Sequence, residues 1–184
     1  MNTRILVPLV FSILAVFFFA GCYGVDHNFS NMRNDLLSAT GKSFHRDVEF
    51  SLGPFSLAVA KVFISFSDDG DDAKEIIKHI SKVQIAVYKN DDHILSEDRY
   101  SILKNIDDKM CRQGWSYIVK STHNGEIQTI YVMKDSEERL RKMFVISLNK
   151  KELAMVEVGG NLEEALAAVI KEKGLGVQYA GAEN

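Results

Sequence analysis

Residues 115–158 read WSYIVKSTHNGEIQTIYVMKDSEERLRKMFVISLNKKELAMVEV, and this stretch decides the fold. Apolar and polar residues alternate through it in four runs, which is the pattern of half-buried β-strands. Asn124-Gly125 between the first two runs predicts a type I′ hairpin turn. Because the connections are short, we expect the four strands to pair as an antiparallel meander. The predicted strands are 115–121, 127–134, 143–148 and 153–158.

Two more strands and four helices are predicted around this meander. Alternation indicates strands at 47–52 and 83–89. Apolar residues three and four positions apart, together with capping residues, place the helices. The predicted helices are 54–66, 72–80, 96–113 and 161–173, and a strand is the alternative for the first of them.

The elements therefore follow the order β-α-α-β-α-β-β-β-β-α. This order predicts an α+β fold, a mainly antiparallel sheet of about six strands with the helices packed on one face. We expect one domain over 44–173, followed by a glycine-containing tail at 174–184.

The first 21 residues are organised like a secretory signal peptide. Arg4 supplies a short basic region, and residues 5–20 carry no charge. As a helix, residues 5–20 would rise about 24 Å, less than the roughly 30 Å hydrocarbon core of a bilayer. An uncleaved membrane anchor and secretion without an anchor are the alternatives.

The end of this apolar run, Phe19-Ala20-Gly21-Cys22, resembles the lipobox of bacterial lipoproteins, although leucine usually stands at the position of Phe19. The resemblance implies cleavage before Cys22 and attachment of fatty acyl chains, such as palmitate, to that residue. It also implies a lipid-anchored protein of the cell envelope. Tyr23 after the cysteine favours the outer membrane if the cell has one.

The composition of the remaining residues is typical of one globular domain that follows a tether. Removing the first 21 of the 184 residues leaves 163, and the net charge changes from −3 to −4 because one arginine is lost. This acidic balance argues against a nucleic-acid partner, which requires basic surfaces. Residues 22–43 are polar and are predicted to form the lipidated N-terminus and a flexible tether, with at most a brief helical turn around Leu36 and Leu37.

The chain contains two cysteines, Cys22 and Cys111. If Cys22 is lipidated, Cys111 has no partner within the chain, and we expect it to be a buried, inert thiol. The alternative is a disulfide between the two, which requires an unlipidated Cys22.

Sequence motifs for catalysis are weak. The acidic run 68–72 lacks the spacing of a calcium-binding loop, so we expect a solvated loop that caps a helix. The five histidines are scattered, and His93 beside Asp91 and Asp92 is the nearest approach to a metal cluster. We predict no catalytic residue, no metal and no cofactor.

The sheet offers a more specific hypothesis. Strand alternation predicts a helix-covered face that includes Phe144 and Ile146, and an open face rich in aromatic residues and methionines. Such residues are typical of adaptable binding surfaces. The tether or the tail could instead cover this face, or the register could be shifted by one residue. The predicted binding residues are Tyr88, Trp115, Tyr117, Tyr131, Met133 and Met155.

Residues 44–173 contain, in order, a strand, an apolar helix, an acidic loop and the segments KVQIAVYKN, GWSYIVK and NLEEALAAVIKEKG. This pattern resembles an uncharacterised domain found in bacterial envelope lipoproteins. The resemblance implies the fold and an envelope location but no active site. We therefore expect a non-enzymatic module that binds an envelope protein or a small apolar ligand. The alternative is a periplasmic or surface hydrolase that uses scattered carboxylates or His93.

Overall fold

A computed structural model of the chain describes residues 24–40, 44–54, 56–58, 75–90, 99–123 and 126–172. The predicted signal segment, Cys22, the acidic run 68–72, His93, the Asn124-Gly125 turn and the tail lie outside the described residues. So does most of the predicted helix 54–66.

Six antiparallel strands form one sheet, which confirms this part of the sequence prediction. The strands are β1 (His45–Leu52), β2 (Ile80–Lys89), β3 (Ser116–His123), β4 (Glu126–Lys134), β5 (Leu140–Leu148) and β6 (Glu152–Gly160). Their spatial order is β1-β2-β6-β5-β4-β3, so the predicted meander of β3 to β6 is continuous and β2 pairs with its last strand. β1 and β3 form the two edges of the sheet.

Three longer helices lie within the described residues: α1 (His27–Ala39), α2 (Arg99–Arg112) and α3 (Leu162–Glu172). Single helical turns also occur at 56–58 and 75–77. Within the described ranges, no helix is long and apolar enough to cross a membrane.

Helix α1 corrects the prediction of a flexible tether over 22–43, which is wrong for residues 27–39. Phe29, Met32 and Leu36 lie three and four positions apart and are buried in the core. The carboxylate of Asp26 caps the helix by accepting a hydrogen bond of 2.8 Å from the backbone N–H of Phe29. The stripe is narrow and the rest of the helix is polar, so composition alone indicates a linker.

The core lies between one face of the sheet and the helices α1 and α2. From α2, Ile102, Ile106 and Met110 enter the same cluster as the buried side chains of α1. Phe144 of β5 is at its centre, with ring centroids 5.6 Å from Phe29 and 5.7 Å from Trp115. Aromatic pairs at these distances add to the stability that burial alone supplies.

The predicted assignment of the two sheet faces is wrong in part. Tyr131 is directly opposite Phe144, and Met155 is directly opposite Ile146, so all four side chains share the helix-covered face. Both alternating sets of residues in these strands are apolar, and hydrophobicity therefore does not decide which set faces the helices. On the other face, Val132 is buried and Val145 and Val156 are half-buried.

Cys111 is exposed, so the prediction of a buried thiol is also wrong. The inward stripe of α2 repeats every four residues and ends at Met110. The next residue is rotated by about 100° around the helix axis and turns towards water.

Candidate functional site

The first residues of α1 are attached to the sheet by a polar cluster. The backbone N–H of Asp26 donates to Oε1 of Gln84 at 2.7 Å, and Nζ of Lys82 donates to Oδ2 of Asp26 at 2.5 Å. Burial alone would raise the pKa of Asp26, but the Lys82 ammonium and the Phe29 N–H together lower it below its ordinary value. Asp26 is therefore a charged anchor as well as a helix cap.

Glu157 is the most deeply buried carboxylate of this cluster, with 4% of its surface exposed. Nε2 of Gln84 donates to its Oε1 at 3.3 Å, and Nζ of Lys142 lies 3.8 Å from the same oxygen. Burial raises the pKa of Glu157, and the Lys142 ammonium offsets this effect only in part. A buried carboxylate with a raised pKa and a distant counter-ion is a feature of functional sites.

Glu157 and Lys142 line a cleft of about 300 Å³ between α1 and the end of the sheet. We call it the α1 cleft. Its lining residues are Asn28, Asn31, Met32, Gln113, Trp115, Met133, Lys142 and Glu157. A second cleft of about 540 Å³ shares Lys142 and Glu157 with it and also contains Asp26, Lys82 and Arg141. The Lys142–Glu157 pair thus stands between two open spaces.

The α1 cleft combines an apolar part with convergent polar groups. Trp115, Met32 and Met133 supply the apolar surface, and three side-chain amides supply hydrogen-bond donors and acceptors. Small-molecule sites in proteins also combine apolar surface with placed polar groups, but they are usually more apolar than this lining, in which five of the eight residues are polar or charged. The arrangement is suited to reversible binding of a small ligand.

Among the described residues, those that line the α1 cleft carry few of the groups used in nucleophilic or metal catalysis. Its eight residues include no hydroxyl, thiol or imidazole group and only one carboxylate. In the part of the chain that the structure describes, no group of three or more His, Cys, Asp or Glu side chains could hold a metal ion.

The structure separates the six predicted binding residues. Trp115 and Met133 line the α1 cleft, although on the helix-covered face. Tyr88, Trp115, Tyr131 and Met155 are buried, which corrects the prediction that they form an open surface.

The two buried tyrosines have structural hydrogen bonds. The Tyr88 hydroxyl donates to Glu49 at 2.7 Å, and the Tyr131 hydroxyl donates to Asp107 at 2.5 Å. Tyr117 is 56% exposed on the edge strand β3, where it is the cross-strand partner of Tyr131, and the Lys120 ammonium lies 3.6 Å from the centroid of its ring.

Sequence reasoning missed the polar half of the site. Glu157 carried a usable signal, because it continues the inward alternation of Leu153 and Met155 on β6. A carboxylate at an inward strand position is costly to bury unless a counter-charge or a hydrogen-bond donor pairs with it. Asn28 and Asn31 carried no such signal, since they belong to the segment that was predicted to be a tether.

Among curated proteins, none matches the chain. Residues 46–167 match the sequence model of a family described as a domain of unknown function, DUF4252. The match confirms the predicted resemblance to an uncharacterised domain, and α1 precedes the matched residues. Because the match covers more than half of the 184 residues, the chain belongs to the DUF4252 family.

Proposed function

We propose that this protein is a lipid-anchored component of the bacterial cell envelope whose domain binds a ligand without catalysing a reaction. The observation that carries the binding role is the position of Glu157, buried beside the α1 cleft with a counter-ion beyond hydrogen-bond distance. The resemblance of Phe19-Ala20-Gly21-Cys22 to a lipobox supports the anchor. Tyr23 after the cysteine supports an outer-membrane location where such a membrane exists.

A binding role agrees better with the α1 cleft than the alternative of a hydrolase does. Hydrolysis through a covalent intermediate commonly needs a hydroxyl or thiol nucleophile beside a general base. The lining of the α1 cleft provides one carboxylate and one ammonium, together with amides and apolar groups.

Occupancy of the α1 cleft is expected to change the fluorescence of Trp115, because the chain has no other tryptophan and this one lines the cleft. We expect the dye anilinonaphthalene sulfonate to bind the folded domain with one-to-one saturation and to quench Trp115 by energy transfer. Asn31→Tyr, which places a ring in the cleft from an exposed position of α1, should abolish this saturable signal.

Ser38→Tyr is the matched control, since Ser38 is equally exposed on the same helix and does not line the cleft. It should leave the titration unchanged. An Asn31→Tyr protein that binds the dye as the unmodified chain does would remove the α1 cleft as the binding site.

Lipidation is tested by metabolic labelling with a palmitate analogue in a bacterial host. We expect the label and recovery in the membrane fraction to depend on Cys22, because its sulfur is the proposed attachment atom. Cys22→Ser should lose the label, whereas Cys111→Ser should retain it, and these two residues are the only cysteines of the chain. Equal labelling of both variants, or of neither, contradicts the proposed anchor.

A further inference from the structure

We infer that the α1 cleft binds a small zwitterion with an apolar side chain, an α-amino acid or a dipeptide whose terminal ammonium and carboxylate are both free. This inference rests on the proposed binding role of the same cleft and adds the chemical class of the ligand.

The charged pair at the cleft is the first argument. The Lys142 ammonium and Oε1 of Glu157 are 3.8 Å apart, too far for a hydrogen bond, and the pair borders open space on two sides. Among the described residues, the hydrogen bond from Gln84 also goes to Oε1, which leaves Oε2 available. A ligand ammonium can therefore donate to Glu157 while a ligand carboxylate accepts from Lys142.

The near neutrality of the site is the second argument. One buried anion faces one half-exposed cation, so a ligand with a single charge would leave the other member of the pair uncompensated in a partly desolvated cleft. A zwitterion compensates both. Its ammonium would also lower the raised pKa of Glu157, because a cation beside a carboxylate favours the ionised form.

The rest of the lining fits the remaining parts of such a ligand. Met32, Trp115 and Met133 line the cleft with apolar and aromatic groups. Met32 and Trp115 are 3% and 5% exposed, so the half-buried Met133 presents most of this surface to a ligand side chain. The amides of Asn28, Asn31 and Gln113 can pair with a peptide N–H and C=O, which have the same hydrogen-bonding groups. The volume of about 300 Å³ lies at the lower end of the range for ligand pockets, as expected for a ligand of this size.

The test is a calorimetric titration of the purified full domain with four probes. L-phenylalanine and L-alanyl-L-phenylalanine carry both charges, N-acetyl-L-phenylalanine lacks the ammonium, and L-phenylalanine amide lacks the carboxylate. We expect at least one of the two zwitterions to bind about tenfold or more tightly than either singly charged probe, since one charge-assisted hydrogen bond is lost in each.

The variants assign each charge of the ligand to a residue. Glu157→Gln should remove the preference for a free ammonium, and Lys142→Met should remove the preference for a free carboxylate. Lys134→Met is the control, because Lys134 is an exposed cation of β4 that pairs with Glu138 and does not line the cleft. It should preserve both preferences.

Two results would overturn the inference. The first is equal affinity for all four probes, and the second is no measurable binding of either zwitterion by a domain that still binds the dye in the α1 cleft. That second result leaves the proposed binding role intact. A domain that binds neither the dye nor the zwitterions contradicts both proposals.

Discussion

Replacing Phe29 with alanine is expected to lower the free energy of unfolding by about 3–5 kcal/mol. The Phe29 side chain is completely buried, and its ring contacts Phe144 at the centre of the core. The substitution removes this contact and leaves a cavity between α1 and the sheet, which packed neighbours fill only in part. Urea denaturation followed by circular dichroism measures the change.

Asn34→Ala is the control for this experiment, because Asn34 is exposed on the same helix. It is expected to change the stability by less than about 1 kcal/mol. If Phe29→Ala has an effect as small as that of Asn34→Ala, then α1 does not pack on the sheet in solution, and the segment before β1 is a tether after all.

Replacing Glu49 with alanine is expected to cost about 3 kcal/mol at neutral pH. Both carboxylate oxygens accept hydrogen bonds of 2.6 Å from Nη1 of Arg33, and the Tyr88 hydroxyl donates to the same carboxylate. The side chains of Arg33 and Glu49 are 15% and 10% exposed, so removal of the carboxylate leaves a nearly buried guanidinium without its partner. Asp47→Ala on the same strand is the control, since the Asp47–Lys89 pair is much more exposed and should contribute far less to the stability.

The contribution of Glu49 should also depend on pH. Burial alone would raise the pKa of Glu49, but the Tyr88 hydroxyl and the Arg33 guanidinium lower it below its ordinary value. A carboxylate with a lowered pKa in the folded state contributes stability above its unfolded pKa and loses this contribution as the pH falls through the folded pKa. The stability difference between the unmodified chain and Glu49→Gln should therefore shrink in acid. A difference that stays constant down to pH 2 would contradict the ionised pair.

Burial and the Glu49 carboxylate raise the pKa of Tyr88 to about 12. The Tyr88 hydroxyl therefore keeps its proton at neutral pH and remains a hydrogen-bond donor to Glu49. Helix α1 is thus held to β1 and β2 by a charged network as well as by its apolar stripe.

Much of the sheet could be predicted from the sequence, because strand periodicity and short connections are local signals. Strands β3 to β6 lie within a few residues of their predicted positions, and so does α2. Helix α1 could not be predicted in this way, because its three buried apolar residues lie in an otherwise polar segment. Only the packing of that segment against the sheet identifies them as core residues. Propensity is a weak guide where tertiary packing supplies most of the helix stability.

The candidate site was predictable only in fragments. Trp115 and Met133 were identified as binding residues on the assumption of an open sheet face, whereas they border a cleft beneath a helix that the prediction lacked. The relative facing of neighbouring strands depends on cross-strand register, such as Tyr131 opposite Phe144, and the alternation within one strand does not reveal it. The sequence alone therefore located the strands correctly but assigned some of their residues to the wrong face of the sheet.

The early start of α1 has a consequence for how the domain would sit at a bilayer. The helix is capped at Asp26, only four residues after Cys22, and four extended residues reach no farther than about 14 Å. If Cys22 is acylated as proposed, the start of α1 and the nearby Asn28 side of the α1 cleft would stay close to the lipid headgroups. The domain would then meet its ligand near the bilayer surface and could not diffuse freely through the surrounding compartment.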